Sequence, residues 1–390
     1  MATLYQTTNT ARKVIIFFLI GAVIILVIDL FQRAPVAVPA NAELKRFYMV
    51  VDGKLGNIAA PTIPAINVNK QGATYALEGV YGVFPDVAYL YSVEKPREKL
   101  LVFENAQKNT VLLGFSADAF EDKGDESYTW NSVDLTKRVD FNKTLQSWKL
   151  TTEYEGNVDA IRRKALTREI EYYLNQTERL VNLMSFDNYG MDNAIYNAKY
   201  AKLDNGIFVE KTNAVESDYI IVNAYRNLRL ADLKPRNELP EVKSQALIPK
   251  VVDGQVYGND PRIGQMHGIA SENFSNYAKE LYEMSFTNFE YSSKKGSYSL
   301  VTPDEAWNKI QSGGGSIVSI LPQNFNYFAE YPTNLSVRRF TADRSKTVLG
   351  YYEPEEWIGF VYPIYIFEGR AELTDGRIGS FILFIDAQRR

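Results

Sequence analysis

The chain has 390 residues, a formal net charge of −4 at pH 7, 46% hydrophobic and 13% aromatic residues, one histidine and no cysteine. That apolar content belongs to a folded chain and excludes an intrinsically disordered one. The lack of cysteine excludes disulfides, thiol catalysis and thiolate metal sites, the single histidine excludes a multi-histidine zinc site, and the lack of a basic run argues against nucleic acid as a partner.

The most apolar stretch is Ala11 to Phe31, and between Val14 and Ile28 it carries no charge and no proline. As a helix it would span about 31 Å, close to the ~30 Å hydrocarbon core of a bilayer. Val14, Ile15, Phe17, Phe18, Leu19, Ile24, Leu26 and Ile28, with Gly21 among them, predict a single membrane anchor over 14–31. Arg12 and Lys13 are not balanced by an acid in 1–13, so that tail is expected in the cytoplasm and the rest outside it. The localisation that follows is a single-pass protein of the cell membrane, with the lipid bilayer as one partner. Two alternatives stay open. Arg12-Lys13, the apolar run and Ala40-Asn41-Ala42 also make a cleavable signal pattern. A buried core helix would normally show a polar face, and this stretch has none.

Residues 32–43 read as a Pro/Ala linker. From 44 onward the length suits two lobes, 44–240 and 241–390. Lys45 to Ile63 predicts two short strands around Asp52-Gly53, and Ala73 to Val93 predicts strands broken by turns. Glu104 to Phe115 reads as a short helix. Strands are expected at Tyr128–Val133 and Thr144–Tyr154. Asn157 to Leu180 has helical spacing of Val158, Ile161, Ala165, Leu166, Ile170, Tyr173 and Leu174. Tyr200 to Lys211 predicts a hairpin over Asp204-Asn205-Gly206, and Tyr219 to Ala224 a strand followed by irregular chain. Asp253-Gly254 and Lys295-Gly296 read as turns, and Ser271 to Tyr282 as helical. Val301 to Ser312 is a marked helix, with Thr302, Pro303 and Glu305 forming a capping box and Gly313-Gly314-Gly315 ending it. Ser316–Leu321, Thr347–Tyr352, Val361–Leu373 and Arg377–Asp386 then predict an antiparallel meander. The expected class is α+β.

Val301 to Trp307, Gly313 to Ser319, Leu349-Gly350-Tyr351-Tyr352, Val361 to Gly369 and Phe381 to Ala387 occur in an order that resembles the C-terminal module of the YycH/YycI family, and more loosely PepSY-type domains. Leu113-Gly114-Phe115, Tyr128-Thr129-Trp130 and Tyr225-Arg226 extend the resemblance. It implies a single-pass protein with an extracytoplasmic α+β domain that regulates a cell-envelope sensor histidine kinase.

No motif here is a catalytic signature. His267 follows no nucleophile elbow, and Ser312 to Ser316 is a helix end with no phosphate-binding lysine after it. No cofactor or metal pattern is present. Carboxylates cluster at Asp118, Glu121 and Asp122, at Asp125 and Glu126, and at Glu353, Glu355 and Glu356. Solvated loop acids are the simpler account, and a carboxylate-dependent cell-wall hydrolase the sharper one. Tyr351, Tyr352, Trp357, Tyr362 and Tyr365 are candidates for a partner-binding aromatic surface, against the simpler account of sheet packing. The function expected from these residues is non-enzymatic binding and regulation of envelope proteins. A structural or ligand-binding subunit of an envelope assembly is the alternative.

Overall fold

The computed structural model describes residues 47–95, 102–124, 126–152, 165–184, 191–204, 207–235, 250–274, 280–287, 289–323, 325–326 and 331–390. In chain order the elements are β1 (Phe47–Tyr48), β2 (Val68–Asn69), β3 (Thr74–Glu78), β4 (Val87–Val93), α1 (Val102–Leu112), β5 (Phe120–Asp122), β6 (Ser127–Asn131), β7 (Lys137–Asn142), β8 (Ser147–Thr152), α2 (Ile170–Met184), β9 (Ile195–Asp204), β10 (Ile207–Lys211), β11 (Tyr219–Tyr225) and β12 (Asn227–Pro235). They continue with β13 (Lys250–Tyr257), β14 (Met266–Ala270), β15 (Leu281–Thr287), β16 (Tyr291–Ser299), α3 (Pro303–Gln311), β17 (Ser316–Pro322), β18 (Leu335–Asp343), β19 (Val348–Tyr352), β20 (Phe360–Leu373) and β21 (Ile378–Asp386).

The strands make two sheets. One has nine strands in the order β10-β9-β11-β14-β15-β8-β7-β6-β5. Helices α1 and α2 pack on it, where Ala106, Tyr173, Leu180 and Val181 share a core with Trp130, Trp148, Val222 and Phe286. The other has twelve strands with the 14-residue β20 near its centre. Helix α3 covers it, burying Ala306, Trp307 and Ile310 in a core with Phe340, Phe367 and Phe381. Each sheet draws strands from both sides of residue 240, so the division into 44–240 and 241–390 does not follow the sheets.

The α+β class expected from the sequence is corrected: the chain is mostly β, with twenty-one strands against three α-helices among the described residues. Segments that read as irregular or helical are strands. Strand β12 runs where irregular chain was expected, β15 begins inside the expected helix Ser271–Tyr282, and β7 and β18 carry no strand expectation. Lys250–Tyr257 and Tyr291–Ser299 are single strands and not hairpins. Helix α2 starts at Ile170 and runs on to Met184, and part of the expected helix before it lies outside the described residues. The single-pass membrane localisation is also corrected, because among the described residues no helix is long and apolar enough to cross a membrane. The stretch 14–31, from Val14 to Phe31, lies outside the described residues.

Helix α3 forms as its local signals require. Thr302 accepts the backbone N–H of Glu305 and Glu305 accepts that of Thr302, which completes the capping box beside Pro303. In the sheet, Gly369 of β20 lies where a Cβ would sit 2.1 Å from the carbonyl oxygen of Thr341 on β18. That contact is to backbone and cannot rotate away. Gly369→Ala is therefore expected to destabilise the fold by at least about 1–3 kcal/mol, read as a lower urea midpoint.

Candidate functional site

Besides its passage from β4 to β5, the chain crosses between the two sheets at three places: between β11 and β12, between β13 and β14, and between β15 and β16. These crossings meet at Arg226, which is fully buried. Its backbone N–H donates to Gln265 Oε1 at 2.8 Å, in the second crossing. Its carbonyl accepts the N–H of Val256 on β13. Its guanidinium Nη1 donates to the carbonyl of Phe289 at 2.8 Å, in the third crossing, and lies 4.6 Å from the ring of Tyr291. Tyr291 Oη in turn donates to Glu353 Oε2 at 2.6 Å, just past the end of β19.

Glu353 is buried as well, and its Oε1 has no hydrogen-bond partner among the described residues. Burial raises the pKa of Glu353, while Arg226 and the Tyr291 hydroxyl oppose the rise. Burial also lifts the Tyr291 hydroxyl well above its ordinary value, with the Glu353 charge adding to the effect. The arrangement is a buried cation and a buried acid bridged by a phenol.

Beside this junction lies a cleft of about 410 Å³. Leu145 and Ile263 supply apolar wall, and Lys149, Ser285, Thr287 and Glu355 supply polar groups on the same cleft as Glu353. Asp260, on the same wall, is already committed. It is gripped by Arg262 at 2.8 Å and accepts the Tyr331 hydroxyl at 2.6 Å, with Arg262 stacked 3.8 Å from the Tyr331 ring. Asn259 is fixed by the Tyr352 hydroxyl at 2.7 Å.

Four of the five candidate partner-binding aromatics are core residues. Tyr351, Tyr352, Tyr362 and Tyr365 are buried, and only Trp357 is exposed. Tyr351 donates to the carbonyl of Tyr89, Tyr365 to that of Val301, and Trp357 Nε1 to that of Val93. The strand alternation that suggested an outward aromatic set fails because β20 is covered on both faces over most of its length. Of the acid clusters, Asp122 and Glu121 are exposed and paired with Lys143 and Lys123. Asp125 lies outside the described residues. Glu353 departs from the expectation of a solvated loop acid. Its signal was its place in the cluster with Glu355 and Glu356: it is the one that directly follows the strand Val348–Tyr352, ahead of Pro354. Among the described residues no cluster of acids and histidine could hold a metal ion.

His267 is a structural group. Its Nδ1 lies 2.9 Å from Asn223 Oδ1, an oxygen that also accepts the N–H of Gly264 at 3.0 Å. That second bond orients the amide, so the proton of the neutral ring sits on Nδ1. Burial pushes the pKa of His267 down to about 4 from the ordinary 6.5.

No family model matches the chain, and no curated protein does. A solved structure, described as an uncharacterized protein from Eubacterium rectale ATCC 33656, is similar at 9% identity and a TM-score of 0.41, over 83% of this chain and 89% of that one. The YycH/YycI-type resemblance draws no support from these comparisons.

Two measurements test the junction. Arg226→Met leaves Glu353 buried without its cation and is expected to cost about 3–5 kcal/mol in urea unfolding. Adding Glu353→Gln to it should cost less than the two single effects together. For His267 the unfolded chain binds the extra proton between pH 6.5 and about 4, so stability falls as pH drops through that window. His267→Gln is expected to flatten that slope, measured by urea melts at neutral and mildly acidic pH.

Proposed function

We propose that the chain is a non-enzymatic binding protein whose ligand site is the cleft beside the junction of the two sheets. The observation that supports this is a preformed cleft with apolar wall and a few convergent polar groups, held by a buried network that leaves its shape little freedom. Its volume of about 410 Å³ suits a small polar molecule or one or two side chains of a peptide. The polar groups differ in kind. Lys149 donates, Glu355 accepts, and the hydroxyls of Ser285 and Thr287 do either. That combination fits a ligand with both hydrogen-bond donors and acceptors.

Commitment of the nearby ionisable groups also favours binding over catalysis. Asp260 is neutralised by Arg262, and Glu353 is bridged to Arg226. A general acid or base has to exchange its proton with a substrate within hydrogen-bond reach. A carboxylate-dependent hydrolase is the second reading, and one observation favours it: a buried carboxyl with a raised pKa in a cleft wall is what a general acid requires.

The test is a screen of amino acids, short peptides and cell-wall sugar fragments against the whole chain, read by thermal shift. A Thr287→Trp variant fills the cleft. The expected result is one ligand class that stabilises the native chain and has no effect on Thr287→Trp. Stabilisation that persists in the filled variant would move the site elsewhere. Release of new amines or reducing ends from a bound ligand would replace binding with hydrolysis.

A further inference from the structure

The twelve-stranded sheet carries a second cavity, a polar groove of about 720 Å³ on its open face over β18, β20 and β21. Arg370 of β20 stands at its middle. In register, Arg370 pairs with Thr341 of β18 and with Ser380 of β21. Side chains of paired residues share one face, so a row of hydroxyl, guanidinium and hydroxyl crosses three strands. Arg339 lies one step along β18, opposite Glu372. Lys346 closes one side from the 3-10 turn Arg344–Lys346 that follows β18.

The acids of the groove are engaged by the protein. Glu372 is held by Arg338 at 2.9 Å with Arg370 at 3.6 Å, which lowers its pKa. Asp343 accepts both the backbone N–H and the hydroxyl of Ser345, which also lowers its pKa. Glu78 on β3, at the rim, is the acid left. Arg339 and Lys346 are exposed and make no direct hydrogen bond or ion pair among the described residues, while their charges act at longer range, Arg339 on Glu372 and Lys346 on Asp343 and Glu368. Around one cavity stand two cations without a direct ion pair, a third shared with Glu372, and two hydroxyls, against the acids Glu78, Asp343 and Glu372.

We propose that this groove binds a small ligand through an oxyanion, a phosphate or a carboxylate. Arg370 and Arg339 supply the forked donors that match such a group, Thr341 and Ser380 complete the donor set, and Lys346 adds a point charge at the edge. The site shares no residue with the junction cleft, so either can fail while the other stands.

The test is titration calorimetry on the intact chain at low salt with inorganic phosphate, glycerol 3-phosphate and citrate. Binding of at least one is expected, weakening as salt is raised. Phosphate ester bound in preference to citrate assigns the oxyanion as phosphate, the reverse assigns carboxylate, and free phosphate binding as tightly as the ester shows that the head group suffices. Arg339→Gln with Arg370→Gln should weaken binding by about tenfold or more, and Glu78→Gln should tighten it by about twofold. Lys346→Glu, on a surface turn, serves if the double variant does not fold, and should weaken binding about fivefold. Binding unchanged in these variants, or absence of binding by all three anions at millimolar concentration, would overturn the proposal.

Discussion

The guanidinium of Arg226 is the group on which the arrangement of the two sheets depends. Each time the chain passes between sheets it must break a ladder and leave backbone groups without strand partners. Buried groups of that kind are costly unless something else satisfies them. At Arg226 its own N–H is satisfied by the Gln265 side chain, its carbonyl by Val256 of β13, and its guanidinium satisfies the carbonyl of Phe289 between β15 and β16. The cost is a buried charge, and Glu353 offsets it through Tyr291. Burying such a pair rarely gains stability over a well-packed apolar equivalent, but removing one partner is severe. What the guanidinium adds is direction: its hydrogen bond to the Phe289 carbonyl and its place over the Tyr291 ring require both groups to stand where they do, which an apolar plug would not.

That constraint explains why the cleft sits where it does. Two twisted sheets that share short crossings cannot pack flush along their whole length. The gap beside the crossings is closed on one side by the Arg226 network and on another by Arg262, Asp260 and Tyr331. Both walls are held by charge-assisted hydrogen bonds, so the space between them is preformed, which lowers the ordering cost of any ligand that enters it.

What the sequence showed of this depended on the range of the signal. The start of α3 was legible because Thr302, Pro303 and Glu305 act within one turn. The last strands were legible because Ser316–Leu321, Val361–Leu373 and Arg377–Asp386 are apolar and bounded by turn residues. Strand β18 was hidden by a bulge. Its pairing with β20 shifts between Val337 and Arg339, so two consecutive arginines face outward and the alternation changes phase. Strand β12 was hidden in the same way by a shift between Arg229 and Ala231. Gly254 and Gly296 looked like turn residues because a turn is the commonest reason for such a glycine. Both sit inside strands for another reason. A Cβ at Gly254 would lie 2.6 Å from Leu230 Cδ1, and one at Gly296 would lie 2.9 Å from the Tyr298 ring. The cleft was not legible at all, since Lys149, Thr287 and Glu355 meet only once both sheets are built.

The tyrosines carry the same lesson in energetic form. A run such as Val348–Tyr352 offers hydroxyls that can face solvent or be buried, and residue type alone does not decide. Burial wins where a backbone carbonyl is already waiting. Tyr351 finds those of Tyr89 and Arg229, and Tyr365 finds that of Val301, so each ring adds apolar area to the core without stranding its hydroxyl. Those acceptors come from residues distant in the chain: Tyr89 within β4, Arg229 beside the bulge of β12, and Val301 between β16 and α3. The aromatic-rich meander is thus core because carbonyls on β4, at the β12 bulge and after β16 lie within reach of its hydroxyls, as the carbonyl of Phe289 lies within reach of Arg226.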